Sequence, residues 1–203
     1  MLAQQVINTS INVILLVAIP LGLYVAWHRR KRDTPLGEIL SRAGLQVGEV
    51  SYALYCLAAA VVCVGGFFLW GPSLEVITRP GTVQARFVGL GPSFDTLGAA
   101  LLYGFGQTGF CEEFFFRGLI AGSLSRRLSS RKANLVQAAI FLAPHLLLLF
   151  VMPEHWPLLI LIFFGSMFAG WARIESGSIL GPWLLHGGVN FGVTLYVLLN
   201  GSA

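Results

Sequence analysis

Six stretches of this chain stay apolar over a length that matches the hydrocarbon core of a bilayer, about 30 Å at 1.5 Å of rise per residue. They run roughly over 6–27, 50–70, 95–124, 133–152, 156–172 and 179–200. Backbone placed in lipid must satisfy its own hydrogen bonds, and apolar runs of this length do so as helices. The expected fold is therefore all-α: one integral membrane domain over 1–203, a multi-pass bundle of about six transmembrane helices. Composition agrees, since 56% of the 203 residues are apolar and only 11% are charged. A soluble domain of this length needs about twice that charged share.

Charge sets the expected orientation. Arg29, Arg30, Lys31, Arg32 and Arg42 fall in the first connection, Arg126, Arg127, Arg131 and Lys132 in the third, and Arg173 in the fifth. Ten basic residues thus share one side, against Arg79 and Arg86 on the other. Basic connections stay in the cytoplasm, which places both termini outside the cytoplasm in a cell-membrane protein. The net charge of +4 follows from those clusters, so nucleic acid is not an expected partner. MLAQQ carries no Lys or Arg ahead of the first apolar run, unlike a cleaved signal peptide.

Between the spans, 34–47 places Leu36, Leu40, Ala43 and Val47 on one helical face behind Pro35. That pattern predicts an amphipathic helix on the cytoplasmic membrane surface. The Gly- and Pro-rich outer loop 71–94 reads equally as a lid or a plain connection. Glu154 and His155 read as solvated turn residues, and His28 belongs to the basic edge. Trp27, Trp70, Trp156 and Trp171 fall at helix ends, where an interfacial belt wants them, with Trp183 farther inside. Cys56 and Cys63 would lie roughly 10 Å apart on one helix, too far to bridge. With Cys111 they read as small packing residues. No internal repeat supports an inverted-repeat transporter.

The third apolar stretch contains residues that membrane helices rarely tolerate. Each ionisable side chain at the bilayer centre costs about 2.5–3.5 kcal/mol. Glu112, Glu113 and Arg117 must therefore face the bundle interior, a wet cavity or one another. Glu113 and Arg117 are four apart with the acid first, the better order for a pair. Glu112 is turned by about 100° and is left as the free carboxylate. Gly104, Gly106 and Gly109 would let a neighbouring helix come close.

The fourth stretch offers His145, one turn after Phe141 and preceded by Pro144, which should bend the helix. The sixth offers His186 and Asn190 on one face, beside Gly187 and Gly188. Counted from the cytoplasmic ends, Glu112 and Glu113 lie roughly 20 Å deep, His145 about 18 Å, Asn190 about 16 Å and His186 about 10 Å. Polar groups from three helices thus fall in one slab. Such a set suits hydrolysis: Glu112, helped by His145, takes a proton from water, and His186 and Asn190 donate to the resulting oxyanion. Cys111 is a poor alternative nucleophile, because the charge of Glu112 opposes a thiolate.

These residues spell EExxxR (Glu112 to Arg117), FxxxH (Phe141 to His145) and HxxxN (His186 to Asn190). In that order, on separate membrane helices, they resemble the three motifs of the CAAX-protease and bacteriocin-processing family, known as CPBP or Abi. The stretch RIESGSILGPWLLH also resembles that family's lead into its last motif. The resemblance covers roughly 95–200, the expected catalytic core. It implies a membrane-embedded, glutamate-dependent peptidase without metal or other cofactor, with Glu112 and His145 activating water and His186 and Asn190 holding the oxyanion. The implied partner is a membrane-associated protein or peptide substrate within the lipid bilayer. Bacterial members are linked to bacteriocin maturation, self-immunity or processing of membrane-anchored sorting signals.

Plainer readings stand beside this one. Glu112, Glu113 and Arg117 could form a purely structural cluster, His145 and Asn190 could be interhelical hydrogen-bond donors, and Phe141 could be packing. Two glutamates and two histidines could also bind zinc in a metallopeptidase, although HExxH spacing is lacking and Asn190 is a poor zinc ligand. A non-catalytic scaffold or proton-coupled carrier would use buried acids and histidines too.

Overall fold

The computed structural model describes residues 1–201, with all of their side chains except those of Val151 and His155. The expectation for His155 lies outside the described residues. Six long helices make up the bundle: Leu2–Arg32, Val50–Trp70, 94–124, Ser130–Phe150, Trp156–Ser176 and Leu180–Asn200. Five are long and apolar enough to cross a membrane. The third is not among these five, and it carries the polar residues singled out above. The fold is a multi-pass helical membrane bundle, with no strand among the described residues.

The sixth helix is the axis of this arrangement, packing mainly on the second and third helices and also on the fifth. Contact with the third is backbone to backbone. A Cβ on Gly104 would lie 2.7 Å from the Gly187 carbonyl oxygen, and one on Gly109 would lie 3.0 Å from Gly187 Cα. Without hydrophobic drive in lipid, helices associate through such close packing, and only glycine allows it here. Gly106 plays the same part toward Thr9 on the first helix, at 3.1 Å.

The third helix starts with a capping box, in which Ser93 and Thr96 satisfy one another's backbone N–H groups. It then widens into two π-helical runs, Leu102–Phe110 and Glu113–Ala121. Wide turns free carbonyls, and in a membrane each needs a donor. Trp183 Nε1 donates to the Phe105 carbonyl at 2.7 Å, and Asn12 Nδ2 to that of Gln107 at 3.3 Å. Side chains of the first and sixth helices thereby lock onto the irregular part of the third.

The fourth helix is held to the fifth by two amides. Asn134 Nδ2 donates to the Met167 carbonyl at 2.9 Å and Gln137 Nε2 to that of Ser166 at 3.0 Å. One turn beyond Gln137 comes Phe141, so this clasp fixes the face that carries His145. Regular α-structure runs through Pro144 to His145 and resumes at Leu148–Val151.

The connection 34–47 differs from expectation in the extent of its helix. Its helix covers only Leu36–Arg42, because Gly44 takes φ +77° and closes a Schellman turn, with Leu45 N–H on the Leu40 carbonyl and Gly44 N–H on that of Ser41. Ile39 and Ala43 are the buried face, whereas Leu36 and Val47 are exposed. The segment docks onto the bundle instead of lying apart: Ile179 N–H bonds the Gly44 carbonyl at 3.1 Å and Gln46 Nε2 bonds that of Gly177 at 3.0 Å. Glu154 is paired with Arg79, joining the loop after the second long helix to the turn before the fifth. Cys63 is exposed, while Cys56 and Cys111 are buried as packing residues.

Gly104→Val should overpack the third–sixth interface and cost on the order of 1–3 kcal/mol. Gly22, with nothing within 4 Å of its Cβ position, is the matched control. Thermal unfolding in detergent should show a lowered midpoint for the first variant and little change for Gly22→Val.

Candidate active site

Glu113 sits at the start of the second π-helical run with its side chain 1% exposed. Arg117 Nη1 donates to its Oε1 at 2.8 Å from the same helix. His186 Nδ1 reaches the same oxygen at 2.8 Å from the sixth helix. Glu113 therefore does more than neutralise an arginine, because it also orients one of the two site imidazoles. That second contact joins helices 73 residues apart in sequence, and no local pattern announces it.

Phe141 is the hub of the fourth helix's contribution. Arg117 Cζ lies over its ring at 4.0 Å, a cation–π contact in a dry setting. His145 and His186 both lie against the same ring, with centroids at 4.7 and 6.0 Å. The two imidazoles therefore flank one aromatic side chain. His145 Nδ1 is 2.8 Å from the Phe141 carbonyl. A carbonyl only accepts, so Nδ1 carries the proton and Nε2 keeps a lone pair in the neutral ring.

Asn190 lies one turn beyond His186. Its Nδ2 donates to Thr108 Oγ1 at 2.8 Å, and Thr108 donates in turn to the carbonyls of Tyr103 and Gly104, at 3.0 and 3.1 Å. Thr108 was not singled out from sequence. Its signal was faint: a hydroxyl four residues before Glu112, in a glycine-rich run where a widened helix leaves carbonyls to be met. The hydroxyl's proton is used on backbone, so its oxygen faces Asn190 as an acceptor and sets which end of the amide points to it.

Burial separates these residues into two groups. Glu113 and Arg117 are sealed, with side chains 1% and 2% exposed. Glu112, His145, His186 and Asn190 are all only partly buried. Glu112 makes no hydrogen bond among the described residues. These four groups are open to approach, and the ion pair of Glu113 and Arg117 is not. Among the described residues, no three His, Cys, Asp or Glu side chains converge closely enough to hold a metal ion.

The two adjacent glutamates should answer differently to substitution. Glu113→Ala leaves Arg117 buried without its partner and should cost about 3–5 kcal/mol. Glu112→Gln removes no hydrogen bond and should leave the thermal midpoint close to wild type. Thr108→Val strands a buried amide N–H at about 1–3 kcal/mol, and Thr108→Ser should restore most of it. Unfolding curves of the four variants check all three statements.

Residues 94–192 match the family model described as type II CAAX prenyl endopeptidase Rce1-like. No curated protein and no solved structure matches the chain significantly. The matched stretch contains Glu112, Glu113, Arg117, His145, His186 and Asn190. This match agrees with the CAAX-protease and bacteriocin-processing resemblance and supports a membrane protease.

Proposed function

We propose that the protein is a glutamate-dependent intramembrane endopeptidase acting on a membrane-associated protein or peptide, with Glu112 and His145 activating water and His186 and Asn190 binding the oxyanion. The observation that carries this reading is that both imidazoles are anchored through Nδ1, His145 on the Phe141 carbonyl and His186 on the Glu113 carboxylate, which leaves each Nε2 for the site. His145 spends its Nδ1 proton on the Phe141 carbonyl, so Nε2 is a lone pair suited to orienting water or accepting its proton. His186 turns Nδ1 to the Glu113 carboxylate, which only accepts. A second donor at Nε2 then requires the imidazolium form, with Glu113 as its counter-ion. A cation held by a buried carboxylate is a strong oxyanion ligand.

The steps balance without a covalent intermediate. Glu112 takes a proton from water as the oxygen bonds to the peptide carbonyl carbon, and the carbonyl oxygen becomes negative between His186 Nε2–H and the second N–H of Asn190. Collapse breaks the C–N bond, and the leaving amine receives the proton held by Glu112. Thr108 supports this by keeping the Asn190 amide nitrogen on the site side. An apolar groove of about 230 Å³, lined by Leu142, Leu159, Ile160, Phe163 and Phe164, opens between the fourth and fifth helices. It suits the apolar part of a substrate delivered from the bilayer.

Glu112→Gln should lower turnover by at least 10²-fold, the scale of general-base catalysis, without loss of fold. Comparing membrane-associated peptides from cells carrying wild type and Glu112→Gln should reveal a species that stays longer in the variant only. Cleavage by purified protein should survive exhaustive chelation. Unchanged processing in Glu112→Gln would mark a scaffold or carrier, and loss on chelation restored by zinc would mark a metallopeptidase.

A further inference from the structure

Two guanidiniums converge at the basic end of the bundle with no carboxylate to share. Arg173, in the last turns of the fifth helix, is 6% exposed. Its Nη2 donates to the Arg42 carbonyl at 2.9 Å, its Nε has no partner, and no Asp or Glu pairs with it among the described residues. Arg126, exposed just beyond the third helix, reaches the same carbonyl at 3.4 Å. It also donates to the hydroxyls of Tyr24 at 2.8 Å and Ser123 at 3.2 Å. Both guanidiniums fit because Gly122 has no side chain: a Cβ there would lie 3.0 Å from Arg173 Nη2 and 3.6 Å from Arg126 Nη1. The Glu38 carboxylate is taken up by the Arg42 guanidinium.

A buried cation without a counter-ion is costly, and a second cation beside it raises the cost. One backbone carbonyl is weak compensation for both. We infer that Arg126 and Arg173 form a binding site for a phosphate-bearing anion, the headgroup of an anionic phospholipid being the source its position favours. Guanidinium forks match phosphate oxygens in geometry and charge, and the Tyr24 and Ser123 hydroxyls add polar contacts at the rim. The depth is that of a headgroup. Along the first helix, Leu23 is 68% and Trp27 44% exposed, after which Arg29, Arg30, Lys31 and Arg32 are all exposed. A cavity of about 410 Å³ lined by Ala26, Trp27, Arg30 and Lys31 opens on that same helix end. Apolar surface gives way to positive charge here, where lipid phosphates lie. A bound anion would tie Tyr24 of the first helix to the ends of the third and fifth. The site is separate from the peptidase reading and does not depend on it.

The test is thermal unfolding of the purified full chain in detergent, with added phosphatidylglycerol, phosphatidylcholine or inorganic phosphate. Phosphatidylglycerol should raise the midpoint and phosphatidylcholine should not. Arg126→Gln, at an exposed position that leaves the fold intact, should lose most of that increment, whereas Arg30→Gln, with the same change in net charge, should keep it. Stabilisation by inorganic phosphate to the same extent, again lost in Arg126→Gln, would support the anion site with solvent as its source. Equal losses in Arg126→Gln and Arg30→Gln would overturn the site in favour of general surface attraction, as would equal effects of the two lipids.

Discussion

Glu113 Oε1 accepts one hydrogen bond along its own helix from Arg117 and a second across the bundle from His186, both at 2.8 Å. Ionisable groups at this depth are tolerated only when paired, and here the pairing does two things at once. It neutralises the guanidinium inside the third helix, and it pins the rotation of the sixth. Phe141 completes the cluster, with Arg117 on its face and both imidazoles at its sides. The charge that would make the third helix unstable in lipid is thus the element that orders the site.

That order requires the two backbones to be near. Gly104, Gly109 and Gly187 bring the third and sixth helices into direct contact, and the first π-helical run turns its free carbonyls toward donors on both neighbours. Trp183 and Asn12 answer two of them, and Thr108 answers two more while receiving Asn190. Irregular backbone in a membrane survives where protein side chains satisfy it. The irregularity places a hydroxyl beside Asn190 that a regular α-helix would use elsewhere.

Much of the architecture was legible in the sequence because lipid imposes simple rules. Apolar length marked the helices, and four-residue spacing marked Glu113 and Arg117 as neighbours. What stayed hidden depends on contacts between helices. Neither the Glu113–His186 bond nor the Thr108–Asn190 bond follows from spacing, since each joins segments whose relative rotation is set by packing. The helix in the connection 34–47 was read too long, because hydrophobic periodicity outweighed the stop signal of Gly44. Glu154 is exposed as expected, but its pairing with Arg79 stayed hidden because that partner comes from a loop with no regular pattern.

The π-helical runs carry a consequence for how this chain can vary. Each residue of an α-helix turns its successors by about 100°. Deleting a single residue between Leu102 and Phe110 would tighten that run and rotate everything after it, swinging Glu112 and Glu113 away from the sixth helix. The same deletion in the loop 71–93 would be absorbed by slack. Length tolerance should therefore be sharply uneven along the chain, with the third helix as intolerant of an indel as a gene is of a frameshift.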